Sequence, residues 1–270
     1  MRFLSLILGD AMFLLLASRR KTAFDNLSLV YGKSSEDPTM RRLARESFRH
    51  FARAALEILG SRFWPTGKVL ERVICPEPVR RTLEEAVGAG RGVLLMTGHL
   101  GNWEVGGRFF GETFPGRFAV VAKRLRPAWL DHMAYRLRGQ AGTEVIYKDE
   151  AARGVLRALK SGKLVAVLMD QNRPDGVFAP FFGRLAATTA IVPTLAVRTG
   201  AVVLPTAVTR RNDGLFEVSV LPPLEFKGDL KGPGELEAAV GACNRALETQ
   251  ILAHPEQWLW SHRRFKTQPS

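Results

Sequence analysis

One histidine stands apart from the other polar residues because of its position after an apolar run. The run Val93–Thr97 predicts a buried strand, and His99 lies two residues beyond its end. Glu104 follows five residues later, with Gly101 and Asn102 between. A spacing of five does not share a helical face, so this pair must straddle a strand-to-helix turn, at which Asn102 is a suitable cap. A histidine so placed can serve as a general base, and the carboxylate can orient it or tune its pKa.

Spacing alone also allows a histidine that only satisfies hydrogen bonds in a loop. The alternatives to histidine chemistry have weaker support in the sequence. No Gly-x-Ser-x-Gly elbow surrounds His99, and Cys75 and Cys243 are interpreted as packing residues. The five histidines show neither His-x3-His nor His-Glu-x2-His spacing. We therefore expect no covalent enzyme intermediate, no metal and no cofactor.

The elements that would position His99 alternate between strand and helix. Short apolar runs predict strands at 93–97, 118–122, 144–147, 164–169, 202–209 and 216–221, with helices at 103–110, 127–138, 151–160, 191–198 and 235–252 between or after them. This order predicts an α/β fold with a mixed, largely parallel sheet flanked by helices. Residues 20–60 and 78–89 are predicted to be helical, which adds a helical amino-terminal extension to one catalytic domain.

The amino terminus is mostly apolar from Phe3 to Ala17, Asp10 interrupts it, and the basic cluster Arg19–Lys21 follows. A membrane-spanning helix needs about 20 apolar residues, so this segment is short for one. A cleaved signal peptide and a plain core helix are the alternatives. The basic flank favours a cytoplasmic setting. We predict a membrane-associating helix over residues 1–18 and a single domain over residues 19–270.

The formal net charge of +13 indicates an anionic partner. Nucleic acid, a phospholipid surface, a phosphorylated glycolipid and an acidic carrier protein all satisfy that charge. The basic clusters are spread along the chain, and no zinc-finger spacing or RNA-recognition aromatic motif accompanies them. We therefore expect no nucleic acid among the partners.

Several separated motifs resemble, in order, those of the lipid A biosynthesis acyltransferase family, the late lauroyl/myristoyl transferases. They are His99-x4-Glu104, Asp170-Gln171 after a second apolar run, Pro180-Phe181-Phe182-Gly183-Arg184, and the tail Pro255–Lys266. The resemblance covers roughly residues 20–267. It implies a glycerolipid-acyltransferase-like fold at the cytoplasmic face of the inner membrane. It also implies transfer of a fatty acyl group from acyl carrier protein to a hydroxyl of a lipid A precursor, an anionic glycolipid.

The resemblance also implies roles for individual residues. His99 would take the proton of the acceptor alcohol, and Glu104 would hold the imidazole and stabilise its charged form. Within the segment Arg136-Leu137-Arg138 one arginine would clamp a phosphate or stabilise the oxyanion, and Arg136 is preferred. The remaining candidates for substrate binding or site organisation are Asn102, Lys123, Arg124, Arg138 and Asp170.

Two other functions remain open from the sequence. Relatives with the same motif acylate other membrane glycolipids, such as phosphatidylinositol mannosides, from acyl-CoA. A non-catalytic basic membrane-binding protein with the same fold is the alternative from another class. The acyl length would depend on the depth of an apolar pocket, at about 0.8 kcal/mol per buried methylene.

Overall fold

The computed structural model describes residues 2–61, 63–139 and 142–269. The helices are α1 (Arg2–Leu15), α2 (Ala17–Tyr31), α3 (Pro38–Ser61), α4 (Glu77–Gly88), α5 (Trp103–Thr113), α6 (Ala128–Gly139), α7 (Ala151–Lys160), α8 (Ile191–Thr199) and α9 (Glu235–Ala253). The strands are β1 (Val73–Ile74), β2 (Val93–Thr97), β3 (Phe118–Ala122), β4 (Glu144–Tyr147), β5 (Leu164–Leu168), β6 (Val177–Phe181), β7 (Arg184–Thr188), β8 (Val202–Arg210) and β9 (Phe216–Val220).

The main sheet has the strand order β1-β9-β8-β2-β5-β3-β4, in which only β8 and β9 pair antiparallel. The predicted α/β fold with a mixed, largely parallel sheet flanked by helices is therefore confirmed. The three middle strands β2, β5 and β8 are apolar on both faces because helices cover both sides. The carboxyl ends of β2, β3, β4 and β5 meet at one edge, where reactive groups collect in such sheets.

A two-stranded hairpin, β6 and β7, was not predicted. Its strands are joined by Phe182 and Gly183, which both have positive φ angles of 49° and 75°. Such a two-residue turn is typical of Asn-Gly, so Phe-Gly gives a weak sequence signal. Pro180 also weakens the sequence signal for β6. Within a sheet, proline is tolerated only at an edge such as this one, so a proline in the run argues against a strand.

Helix α1 lies against α3 and is anchored there by Asp10. Its carboxylate accepts hydrogen bonds from Arg45 and Arg49, the closest at 2.6 Å from Arg49 Nε. These hydrogen bonds outweigh desolvation and lower the pKa of Asp10. Gly9 also allows close approach, since a Cβ there would lie 2.4 Å from the Cα of Arg49. In the described part of the chain, no helix combines the length and the hydropathy needed to traverse a bilayer.

Candidate active site

The strand-to-helix turn after β2 has the form that the spacing predicted. Gly98 lets a carboxylate approach the backbone, because a Cβ at this position would lie 3.0 Å from Cγ of Asp170. Gly101 has φ +63°, and a Cβ there would lie 2.0 Å from the carbonyl oxygen of Val208. The two glycines therefore permit close packing that places His99 at the edge of the sheet.

The His99 ring is held by Asp170. Its Nδ1 lies 2.8 Å from Asp170 Oδ1, while the His99 backbone N–H donates to Asp170 Oδ2 at 2.7 Å. Trp258 Nε1–H donates to the same Oδ2 at 2.9 Å. Asp170 is only 2% exposed. Its three hydrogen bonds fix the carboxylate, and through it the orientation of the imidazole.

The charges of this pair reinforce each other. Desolvation is the largest single influence on the His99 ring, and it lowers the pKa of the ring. The charge and hydrogen bond of Asp170, together with the charge of Glu104, outweigh desolvation. The pKa of His99 is therefore raised above 6.5. Burial raises the pKa of Asp170, but the charge and hydrogen bonds of His99 and the Trp258 hydrogen bond lower it overall. The carboxylate thus stays ionised, and the ring readily accepts a proton.

The expectation that Glu104 holds the imidazole is corrected by this geometry. Its carboxylate oxygens accept hydrogen bonds from Nε and Nη2 of Arg138, in a bidentate pair. Glu104 acts on His99 through its charge, whereas Asp170 makes the direct contact. Asp170, which the sequence offered only as a candidate for substrate binding or site organisation, lies 71 residues from His99 along the chain.

The preference for Arg136 over Arg138 is corrected as well. Arg138 pairs with Glu104 and lines the same cavity as His99. Arg136 is exposed. Residues two apart on a helix point to nearly opposite sides, so only one of the two can face the site.

Asn102 caps α5 as expected, since its side-chain oxygen accepts a hydrogen bond from the N–H of Val105 at 3.2 Å. Its Nδ2 donates to Oε2 of Glu57 at 3.1 Å, and the residue is 0% exposed. Its predicted part in substrate binding is therefore corrected to a structural one, because its side chain is enclosed by protein.

Lys123 and Arg124 follow β3 but differ in surroundings. Lys123 lines the cavity beside His99. Arg124 is stacked over the ring of Tyr147, 3.8 Å from its centroid, and lies 3.7 Å from Asp149. The guanidinium of Arg124 thus interacts with the ring of Tyr147 and the carboxylate of Asp149.

A cavity runs from His99 beneath α5 along one face of the sheet, and encloses about 980 Å³ of empty space including its open mouth. We call it the apolar cavity. Trp103, Glu104, Lys123 and Arg138 surround its mouth together with His99. Its deeper wall is lined by Leu95, Gly106, Gly107, Phe110, Phe118, Val120, Ala166 and Val208. Apolar walls with charged groups gathered at one end suit a ligand with a long hydrocarbon part.

The carboxyl-terminal segment docks on the core. Trp258 and Trp260 are fully buried, which excludes both from any patch at the protein surface. Buried Arg264 donates to Ala187 O at 2.8 Å, which ties the segment to the hairpin. This docking delivers the Trp258 indole to Asp170, a contact with no signal in the sequence beyond the tryptophan itself.

The two thiols are poor nucleophiles in this structure. Burial raises the pKa of Cys243 to about 12, and burial also raises the pKa of Cys75. His50 is a second partly buried histidine, but desolvation lowers its pKa to about 4, and its Nε2 lies 3.0 Å from the Gly101 carbonyl oxygen. His50 therefore supports the turn in its neutral form.

The site combines a buried carboxylate, an imidazole whose pKa is raised and an adjoining apolar cavity. An α/β protein with such a site can move a proton at one end of an apolar ligand. The sequence profile of the bacterial lipid A biosynthesis acyltransferases matches residues 1–267. The chain belongs to this family and is an acyltransferase.

Curated relatives agree with this assignment. The lipid A biosynthesis lauroyltransferase of Escherichia coli strain K12 is 30% identical, over 97% of this chain and 84% of the relative. The palmitoleoyltransferase of the same strain is 30% identical, over 94% and 81%. The phosphatidylinositol mannoside acyltransferase of Mycolicibacterium smegmatis is 26% identical, over 86% and 75%.

Proposed function

We propose that this chain transfers a fatty acyl group from acyl carrier protein to a hydroxyl of a lipid A precursor, with His99 as the general base. The observation that carries the proposal is the imidazole held on Asp170 at the mouth of the apolar cavity. The names of the E. coli relatives support lipid A precursors as acceptors. The net charge of +13 suits an anionic glycolipid and an acidic carrier.

The direction of proton transfer follows from the hydrogen bonds of the ring. Nδ1 is occupied by Asp170, so Nε2 is the nitrogen left for substrate. The amide nitrogen of Gln171 lies 3.3 Å from Nε2 and marks the approach that an acceptor hydroxyl would take. The N–H of Gln171 can donate to Nε2 only when that nitrogen carries a lone pair, so the ring proton lies on Nδ1. This is the tautomer that a general base needs.

The reaction then needs no covalent enzyme intermediate. The acceptor oxygen attacks the thioester carbonyl as Nε2 takes its proton, which gives a tetrahedral oxyanion. Lys123 and Arg138 are the cations at the cavity mouth that support this negative charge. Collapse of the oxyanion breaks the carbon–sulfur bond, and the departing thiolate receives the proton from the imidazolium. The charge of Asp170 stabilises that imidazolium.

The membrane setting is part of the proposal, with residues 1–18 as the membrane-associating segment of an otherwise single domain at the cytoplasmic face of the inner membrane. Asp10 binds α1 to the protein on one side. The outer side of α1 carries exposed apolar side chains, including Phe3 at 76% and Leu15 at 80% exposure. An apolar stripe beside the basic Arg19–Lys21 suits a helix that lies in an anionic lipid surface.

The test is acyl transfer by the purified full chain. Lauroyl-acyl carrier protein and a phosphorylated disaccharide lipid are supplied in detergent, and mass spectrometry records the gain of one acyl chain. His99→Ala should lower kcat by 10²-fold or more, about the contribution of a general base. His132→Ala, a change of an exposed histidine on α6, is the matched control. Unchanged transfer in the His99 variant would remove the proposed mechanism.

A second candidate is acyl transfer to a phosphatidylinositol mannoside, an acceptor that the name of the M. smegmatis relative supports, with acyl-CoA as the donor. The same assay separates the two functions when both donors and both acceptors are offered in all four combinations. Turnover only with acyl-CoA and the mannoside would assign the second function. Turnover only with acyl carrier protein and the disaccharide lipid would assign the first.

A further inference from the structure

A second cavity reaches His99 between the carboxyl ends of β3, β4 and β5 and the starts of α7 and α8. Lys123, Lys148 and Arg173 line it, and we call it the basic cavity. Its remaining lining includes Gln171 and Thr189. Of the described residues that line it, every charged one is a base.

The sheet order explains why three cations meet there. Lys123 comes directly after β3, Lys148 directly after β4, and Arg173 five residues after β5. These strands are neighbours in the order β5-β3-β4. Adjacent strands are about 4.8 Å apart, so the three strand ends span only about 10 Å. Residues distant in sequence are thereby brought to one side of His99.

The positive charges are only partly balanced. Arg173 Nη2 donates to Oδ2 of Asp175 at 2.7 Å, so four charged groups carry three positive charges and one negative, a net +2. Desolvation first, and then the charges of Arg173 and Lys123, lower the pKa of Lys148. Like charges held together in this way are stabilised when an anion lies between them.

The starts of two helices also affect the electrostatic potential in the basic cavity. Both α7 and α8 begin at the basic cavity, with Ala151 and Ile191 in its lining. The N–H of Ala151 donates to the carbonyl oxygen of Lys148, and the N–H of Ile191 donates to Thr189 Oγ1 at 3.4 Å, so these two N–H groups already have acceptors. The dipole of α8 favours an anion in the same place as the three basic side chains, whereas Asp149 and Glu150 in the turn before α7 offset the dipole of that helix.

We propose that the basic cavity binds a phosphate ester of a substrate and thereby brings the reacting group to His99. The identity of the reacting group rests on the function proposed above, whereas the phosphate site rests on this cavity alone. The cavity lies on the Gln171 side of the ring, so the phosphorylated acceptor is the favoured source. The phosphodiester of a phosphopantetheine donor is the other source of the same chemistry.

The experiment compares Lys148→Gln with Lys160→Gln in the full chain. Both lysines are exposed, but Lys160 ends α7, about 15 Å along the helix from its start at the basic cavity. Calorimetry without any donor measures binding of the phosphorylated disaccharide lipid, and of the same lipid after removal of its phosphates. Steady-state kinetics then measures KM for the acceptor, for lauroyl-acyl carrier protein and for lauroyl-phosphopantetheine.

We expect Lys148→Gln to weaken binding of the phosphorylated lipid about tenfold, as for one lost charge-assisted contact, and to leave binding of the dephosphorylated lipid unchanged. The KM for the acceptor should rise by a similar factor with little change in kcat, while Lys160→Gln matches the unaltered chain. A rise confined to the KM of both donors would assign the phosphate to phosphopantetheine.

Equal binding and equal KM values in the two variants would overturn the phosphate site. An effect seen only with the intact carrier protein, and with neither lauroyl-phosphopantetheine nor the acceptor, would also overturn it by indicating a protein-docking surface. Binding that depends on Lys148, without any acyl transfer, would support the phosphate site and refute the proposed function. The two proposals can therefore fail separately.

Discussion

Replacement of Asp170 by asparagine tests the tautomer argument most directly. Oδ2 of Asp170 accepts two hydrogen bonds, from the His99 backbone N–H and from Trp258 Nε1–H, at 2.7 and 2.9 Å. An asparagine must therefore place its carbonyl oxygen at that position. Its NH₂ group then faces Nδ1 of His99, where Oδ1 now lies 2.8 Å away. The amide donates to Nδ1, so the ring proton moves to Nε2.

The consequence for rate is large, while the consequence for folding is small. A ring that carries its proton on Nε2 cannot accept one from the acceptor alcohol, and a comparable tautomer error in a serine protease lowers kcat about 10⁴-fold. We expect Asp170→Asn to lower kcat by about 10³- to 10⁴-fold. All three hydrogen bonds have a counterpart in the variant, so the melting temperature should change little.

The assay is single-turnover transfer from lauroyl-acyl carrier protein to the phosphorylated disaccharide lipid, followed by mass spectrometry. Asp229→Asn, a change of an exposed carboxylate in the loop before α9, is the matched control. Circular dichroism confirms that both variants are folded. A folded Asp170→Asn variant with kcat within tenfold of the unaltered chain would refute the assignment of Asp170 as the residue that sets the tautomer.

Four further outcomes follow from the site. The kcat/KM should fall as pH decreases through the raised pKa of His99, because only the neutral ring accepts a proton. In Asp170→Asn, the residual activity should show this fall at a lower pH. Gly107→Leu should shift donor preference to shorter chains, with roughly fourfold lower kcat/KM per excluded methylene, because Gly107 lines the apolar cavity and a Cβ there meets nothing within 4 Å. Trp258→Phe should lower kcat about fivefold by removing one hydrogen bond to the carboxylate. Asn102→Ala should reduce the free energy of unfolding by about 1 kcal/mol or more in denaturant titration, through loss of the cap of α5.

Two of these outcomes have a matched control variant within the chain. Gly88→Leu adds the same side chain at an open position on α4, and should leave chain-length preference unchanged. Trp129→Phe alters an exposed indole on α6 and should leave kcat unchanged. Loss of all donor lengths alike in Gly107→Leu, or a pH profile independent of Asp170, would contradict the geometry of the site.

Much of the secondary structure was predictable because local patterns decide it. The strands β2, β3 and β4 have the predicted bounds, and other predicted elements end within two or three residues of the observed ones. Their apolar runs are bounded by glycine or polar residues, which mark strand ends without reference to the rest of the fold. The hairpin formed by β6 and β7 was missed because its turn is Phe182-Gly183, and the contacts of Phe182 with Trp258 and Trp260 are tertiary.

The sequence by itself determined the position of His99 at the end of a strand, the cap at Asn102 and the family, since these depend on residue order. Only the tertiary structure decided which carboxylate holds the ring. Glu104 is near in sequence, but the helical turn directs it to Arg138, while the parallel pairing of β2 with β5 brings Asp170 to His99. The same pairing of distant strands gathers Lys123, Lys148 and Arg173 into one cavity, because strand order in a sheet is fixed by long-range packing.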